Sequence, residues 1–348
     1  MRSRSAVLLV QALLIVATYS PVQALDRIPT TSGFSGFALM GPGYFDVETN
    51  LIVSGTPLLE DVGQKQIDSI FSKPTSETAP ALMLGAELNY TFASSRTQLY
   101  FGNRFEDLLR LDLAIGLGLR QELPDESIFS ASLLTTPSEL EVWADPFIEG
   151  ENREPIDLDF PGVRMRWGKI LKTDLELTAT FRKYRHQKER SGDWLVEQGR
   201  LDPNLQHLLD RDGDMRTFQV LYRIEKDRHR FEPSIRFIDD DLDGDAVAQK
   251  GYTLQLTYLY MSPKFVLDAN FIYGIRDAKG VHPVYNKKLD TERWGTAITA
   301  FIPIKEFNSS KLSVFITGEV FSENAKIDFY DTRVASISLG LVWRHNRR

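Results

Sequence analysis

The chain has 348 residues, with 41 Lys+Arg against 48 Asp+Glu, a net charge of −7 and no cysteine. The mild acidity gives no reason to expect a nucleic-acid partner. The missing cysteines exclude a disulfide scaffold and a lipid-modified N-terminal cysteine. Mean hydropathy of −0.24 fits a soluble protein, but it also fits a membrane barrel, because half of every barrel strand faces water.

The first segment reads as a targeting sequence. Arg2 and Arg4 make a basic start, Ala6 to Ala17 is apolar apart from Gln11, and Val22-Gln-Ala24 offers the small residues that a signal peptidase cuts after. Residues 1–24 are therefore expected to be a cleaved signal peptide, and residues 25–348 one folded unit. The apolar stretch is too short to span a bilayer, and no later run approaches about 18 apolar residues.

Gly33 to Tyr44 is a glycine-rich first strand whose two faces the pattern does not separate. Pro42 is expected to end or bend it early. Asp46 to Ala79 is polar, and the spacing of Leu59, Val62, Gln66 and Ile70 predicts a short helix within 58–71. From Pro80 the alternation is regular. Leu82, Leu84, Ala86, Leu88, Tyr90 and Phe92 share one face, against Glu87, Asn89 and Thr91. After a turn at Ala93–Arg96 and a short strand Thr97–Asn103, a further strand is predicted over 109–120. There Leu109, Leu111, Leu113, Ile115, Leu117 and Leu119 oppose Arg110, Asp112 and Arg120.

The same two-residue period marks Ile128–Thr136, Val163–Trp167, Leu175–Arg182, Phe218–Ile224, Phe231–Phe237, Tyr252–Tyr260, Phe265–Tyr273, Trp294–Ile302 and Leu312–Val320. The last strand is the clearest. Ala335, Ile337, Leu339, Leu341 and Trp343 form an apolar row against Ser336, Ser338, Gly340 and Arg344. The count is about fourteen strands, with twelve to sixteen as bounds. Every second connection is a tight turn, with one or two lapses. That rhythm belongs to an all-β, up-and-down antiparallel transmembrane barrel, and an even count places both termini on the periplasmic side.

Charged side chains do not face lipid cheaply, so the opposite rows should line a wet interior. Arg110, Asp112, Arg120, Arg164, Arg166, Arg182, Arg223, Arg236, Asp268 and Glu319 are the candidate pore-lining residues. Two readings stay open: an aqueous pore leaning toward anions, or a lumen filled by charges that pair across it. Asp239, Asp241 and Asp243 match the first half of a calcium loop, yet Lys250 stands where the bidentate acid belongs. An exposed acidic loop is the plainer account. His207 lies near Asp210 and Asp212, but no nucleophile motif of the Gly-x-Ser-x-Gly kind is present, so no enzyme and no cofactor are expected.

The terminal strand resembles the closing strand of bacterial outer-membrane barrels, although Arg344-His-Asn-Arg-Arg348 follows the aromatic Trp343 at which such chains usually stop. Ser32-Gly-Phe-Ser-Gly-Phe37, the glycine-containing strand and the overall size resemble a family of uncharacterised gram-negative outer-membrane proteins with a domain of unknown function. That resemblance implies a porin-like barrel and an address, and brings no catalytic residues. The fourteen-strand fatty-acid transporters are a second comparison, but Leu25–Thr31 cannot supply their N-terminal hatch. The expected location is the bacterial outer membrane. The expected partners are its lipids, lipopolysaccharide and the barrel-assembly machinery. The expected function is a passive channel for small polar or anionic solutes, with a plugged structural or adhesion barrel as the alternative.

Overall fold

The computed structural model describes residues 27–54, 62–112, 114–135, 140–307 and 309–345. The expected signal peptide lies outside them. Fourteen strands form the wall: β1 (Gly33–Glu48), β2 (Ser76–Phe92), β3 (Thr97–Asn103), β4 (Ile115–Glu122), β5 (Ile128–Thr135), β6 (Gly162–Gly168) and β7 (Leu175–His186), then β8 (Gly213–Tyr222), β9 (His229–Leu242), β10 (Gln249–Met261), β11 (Val266–Ala278), β12 (Thr291–Phe307), β13 (Ser310–Ala325) and β14 (Thr332–His345). Each pairs antiparallel with its neighbours in sequence, and β14 pairs with β1 over Gly36↔His345 to Glu48↔Arg333. The barrel is closed, as the alternation predicts.

The apolar rows point outward. Leu84, Leu117, Leu133, Leu254, Ile298 and Leu339 are all exposed on the outer surface. Such a surface is stable only where the surrounding solvent is hydrocarbon, and a closed barrel leaves no unpaired strand edge there. At the seam between β1 and β14 the backbones approach closely. A Cβ on Gly41 would lie 2.1 Å from the Leu339 carbonyl, and one on Gly340 would lie 2.3 Å from that of Met40.

Three expectations need correction. Pro42 does not end β1, which continues to Glu48, because the pairing with β2 runs through Gly41↔Met83 and Pro42↔Leu82 without a shift. No helix forms over the described part of 58–71, where 62–71 is turn and bend; 58–61 lie outside the described residues. The strand predicted over 109–120 begins only at Ile115. Before it, residues 104–112 leave the wall and form a short helix, α1 (Phe105–Leu109), inside the barrel. Leu113 lies outside the described residues.

Short turns at 93–96, 123–127, 169–174, 227–228 and 262–265 occupy one end of the barrel, the fourth closing the paired extension Ile224–Lys226. At the other end the connections pack on one another. Ile67 and Ile70, Phe147, Leu195 with Leu201 and Leu209, Val247, Leu289, and Phe329 with Tyr330 come from six connections and share one apolar core. Polar ties reinforce it. The buried Asp145 carboxylate accepts from the backbone N–H groups of Phe147 (3.0 Å), Gly192 (3.1 Å) and Trp194 (2.9 Å). Arg153 donates to the Asn50 carbonyl at 2.8 Å and lies 4.4 Å over the Trp143 ring. The seventh connection at this end, 104–114, does not join the cap. It folds inward.

Candidate functional site: an occluded, arginine-lined lumen

Helix α1 is fixed in the lumen on all sides. Phe105, Leu108 and Leu109 fall on one face at helical spacing, and they pack on an apolar stretch of inner wall made by Phe37, Leu39, Leu259, Phe301, Phe315 and Val342. The Arg344 guanidinium stacks over the Phe105 ring at 4.4 Å. At the helix start, the Phe105 N–H donates to the Glu87 carboxylate at 3.0 Å. At its end, Asn270 and Gln255 donate to the carbonyls of Leu109 (2.8 Å) and Arg110 (2.9 Å). These wall side chains satisfy backbone groups that a short helix leaves unpaired. Leu111, with φ of 60°, then turns the chain back toward β4.

The polar side of α1 meets the opposite wall through ion pairs. Asp107 faces Arg166 at 2.7 Å and Arg164 at 3.4 Å, and Arg164 also meets Asp112 at 2.8 Å. Arg110 meets Glu232 at 2.8 Å and Glu176 at 3.1 Å, while Arg223 reaches Glu232 at 2.9 Å. Glu232 is 3 % exposed. At the level of α1 the lumen is therefore filled by paired charges on one side and apolar packing on the other.

Above α1, toward the cap, a chamber of ≈ 570 Å³ remains. Of the candidate residues, Arg110, Asp112, Arg164, Arg182 and Arg236 line it, together with Arg276, Arg293 and Glu323. Below α1 a small cleft of ≈ 30 Å³ is lined by Arg120, Arg166 and Arg223. Asp268 and Glu319 face inward but line neither space. The Asp268 carboxylate accepts from Asn270 at 3.2 Å, and that of Glu319 from Ser336 at 2.8 Å. Arg110 and Asp112 reach the lumen from the inward fold and not from a strand, which corrects their expected placement.

Sequence reading missed Arg276 and Arg293, because β11 and β12 extend past the stretches counted by alternation. It also missed Asp107. The apolar doublet Leu108-Leu109, which breaks the two-residue period, was the available signal.

The acidic segment 239–245 is divided between strand and loop. Strand β9 runs on to Leu242, so alternation splits the carboxylates between two faces. Asp240 points inward to Arg276 at 2.7 Å. Asp239 and Asp241 both meet the Lys279 ammonium, and Asp243 is exposed. Among the described residues no cluster of three or more metal-ligating side chains forms. Asp212 is engaged by the imidazole of His186 at 2.7 Å, so it does not meet His207 as the sequence spacing had hinted.

One titratable group belongs to the cap core. His282 is fully buried, its Nε2 lies 2.9 Å from the Tyr330 hydroxyl, and its Nδ1 accepts from the Val284 N–H at 3.2 Å. Burial holds the imidazole neutral, down to about 3 from an ordinary 6.5. Unfolded cap takes up a proton below 6.5 and packed cap does not, so the stabilisation is complete above 6.5 and is lost progressively as pH falls toward 3. The loss should be about 1 kcal/mol between pH 6.5 and 5.5, one pH unit being worth about 1.4 kcal/mol. Amide exchange at Phe329 and Tyr330 is expected to accelerate over that interval, and His282→Asn should flatten the dependence. An unchanged slope in the variant would assign it to other groups.

The family model described as "Protein of unknown function (DUF2860)" matches residues 33–344, the whole barrel. No curated protein matches the sequence. Among solved structures, similar ones include OmpTdeltaL8, a loop L8 deletion mutant of OmpT, an outer membrane protein of Vibrio cholerae, at 10 % identity and TM-score 0.39, covering 90 % of this chain and 99 % of that one. A FadL homologue of Pseudomonas aeruginosa is 11 % identical with TM-score 0.41, covering 89 % and 90 %. A TodX monoaromatic hydrocarbon channel deltaS2 mutant is 12 % identical with TM-score 0.45, covering 91 % of each chain.

Proposed function

Since the chain belongs to the DUF2860 family of unknown function, we propose its role from its own lumen: an outer-membrane channel, closed at rest, that admits small anionic solutes. The observation that carries this is the charge of the chamber. Six guanidinium groups line it against two carboxylates. Around Glu232 the lumen charges are matched, as a merely filled interior requires. In the chamber Arg110, Arg164, Arg276 and Arg293 each meet a carboxylate while Arg182 and Arg236 carry a positive surplus, and an excess of positive side chains around a confined aqueous space favours anions. In this reading the short turns and both ends of the chain face the periplasm, and the cap faces outward. The reading is one of transport, not catalysis.

The packed cap supports a second reading, in which the barrel is a rigid platform acting through its loops. Planar-bilayer recordings separate the two. A channel should show voltage-driven openings whose reversal potential favours anions, with a preference that weakens as salt screens the chamber. Arg182→Gln with Arg236→Gln should move that potential toward cations. A folded barrel that never opens, or opens with cation preference, would refute the anion channel and leave the platform.

A further inference from the structure

The chamber and the cleft lie on opposite sides of α1, against the same stretch of wall. Arg164 lines the chamber and Arg166 the cleft. They are two residues apart on β6, so both project inward, one above the other. A solute moving down this wall must pass from one to the other. The passage is occupied by a carboxylate of the chain itself. Asp107 places Oδ1 at 2.7 Å from Arg166 and Oδ2 at 3.4 Å from Arg164, one oxygen on each guanidinium.

We propose that Arg164 and Arg166 form a binding site for the carboxylate of a small organic acid in transit, and that Asp107 is a tethered stand-in which keeps the lumen shut until the solute replaces it. This rests on the channel reading and names the solute class and the gate. The arginine pair is shaped for a carboxylate, because it already holds one. Arg166 also keeps a donor in reserve. It is 8 % exposed, and its Nη1 has no hydrogen-bond partner. Exchange of one carboxylate for another leaves the count of buried charges unchanged, whereas a neutral or cationic solute would leave the site one buried negative charge short, with Arg164 held by Asp112 (2.8 Å) and Arg166 by Glu176 (3.3 Å). The segment that must yield has left the wall and is not held by strand pairing. Residues 104–112 are anchored by side chains at both helix ends, and the ladder resumes only at Asn103↔Ile115.

The test uses the full-length folded protein in planar bilayers, each variant first checked for heat-modifiable migration on a denaturing gel. Asp107→Asn keeps the shape and removes the charge, so it should raise open probability at least tenfold in sodium chloride. Asp107→Glu should restore closure. Sodium succinate should open the wild type more often than sodium chloride at equal ionic strength, and Arg164→Gln with Arg166→Gln should abolish that stimulation. Sodium phosphate is the comparison anion, and equal stimulation by it would overturn the carboxylate assignment. Either variant alone decides. If wild-type openings select anions but Asp107→Asn opens no more often, or the arginine double variant still responds fully to succinate, the gate is wrong and the channel stands. If none of the proteins opens under any condition, the channel reading falls and this inference with it.

Discussion

Leu254→Arg is expected to block barrel assembly, while Thr253→Arg, its immediate neighbour, leaves assembly intact. Leu254 is exposed on the lipid-facing row of β10, whereas Thr253 lines the chamber. A charge on the lipid face near the bilayer midplane costs roughly 2–4 kcal/mol, a factor of about thirty to several hundred in the folding equilibrium. An arginine at 253 enters a hydrated space that already holds its kind. Leu339→Arg on β14 should behave like Leu254→Arg. The readout is the fraction of protein that migrates differently before and after boiling. Equal losses for Leu254→Arg and Thr253→Arg would mean that the two faces are wrongly assigned.

Glu232→Leu should cause the largest loss of stability of any single change in the lumen. Its two oxygens meet Arg110 at 2.8 Å and Arg223 at 2.9 Å, and Arg230 lies 3.9 Å away. Removing the acid breaks its pairs with Arg110 and Arg223 in a buried setting, where a broken pair costs about 3–5 kcal/mol, although Arg110 keeps Glu176 and Arg230 keeps Glu225. The thermal midpoint in detergent should fall sharply. Arg110 would also lose a partner that holds the end of α1, so channel openings should increase along with the loss. Glu232→Gln, which keeps one accepting oxygen for the guanidinium groups, should fall between. A Glu232→Leu midpoint within a degree or two of wild type would show that the network is solvated and not structural.

Much of the wall was legible because lipid imposes a simple rule. Outward positions of β2, β10 and β14 must be apolar, inward ones need not be, and the two-residue period follows. The rule fails where both sides are apolar. On β1, Met40 and Tyr44 face outward while Phe37 and Leu39 face inward to receive α1, so no period separates the faces. It misleads at 109–113, where leucines at alternate positions mimic a lipid row although Leu109 packs on the inner wall. Alternation reports which positions are apolar, not which apolar surface they meet. The candidate arginines were legible as inward residues, but their partners were not. The pairing of Arg166 with Asp107, and of Arg110 with Glu232, joins residues far apart in sequence, and only the closed barrel brings them together.

The glycine seam has a kinetic consequence. Pairing Gly36 with His345 closes a loop of nearly the whole chain, whereas every other wall contact joins strands adjacent in sequence. Loop-closure entropy rises slowly with length, as about 1.5RT ln n, but contacts of such separation are what make a topology slow to fold. Hairpins β2–β3 and β12–β13 can form locally and early, and the β1–β14 junction must come last. Until it does, two long strand edges stand open, with bare backbone at Gly41 and Gly340 and no side chain to shield them. Folding of this barrel is therefore a race between zipping one seam and sticking to another molecule's edge.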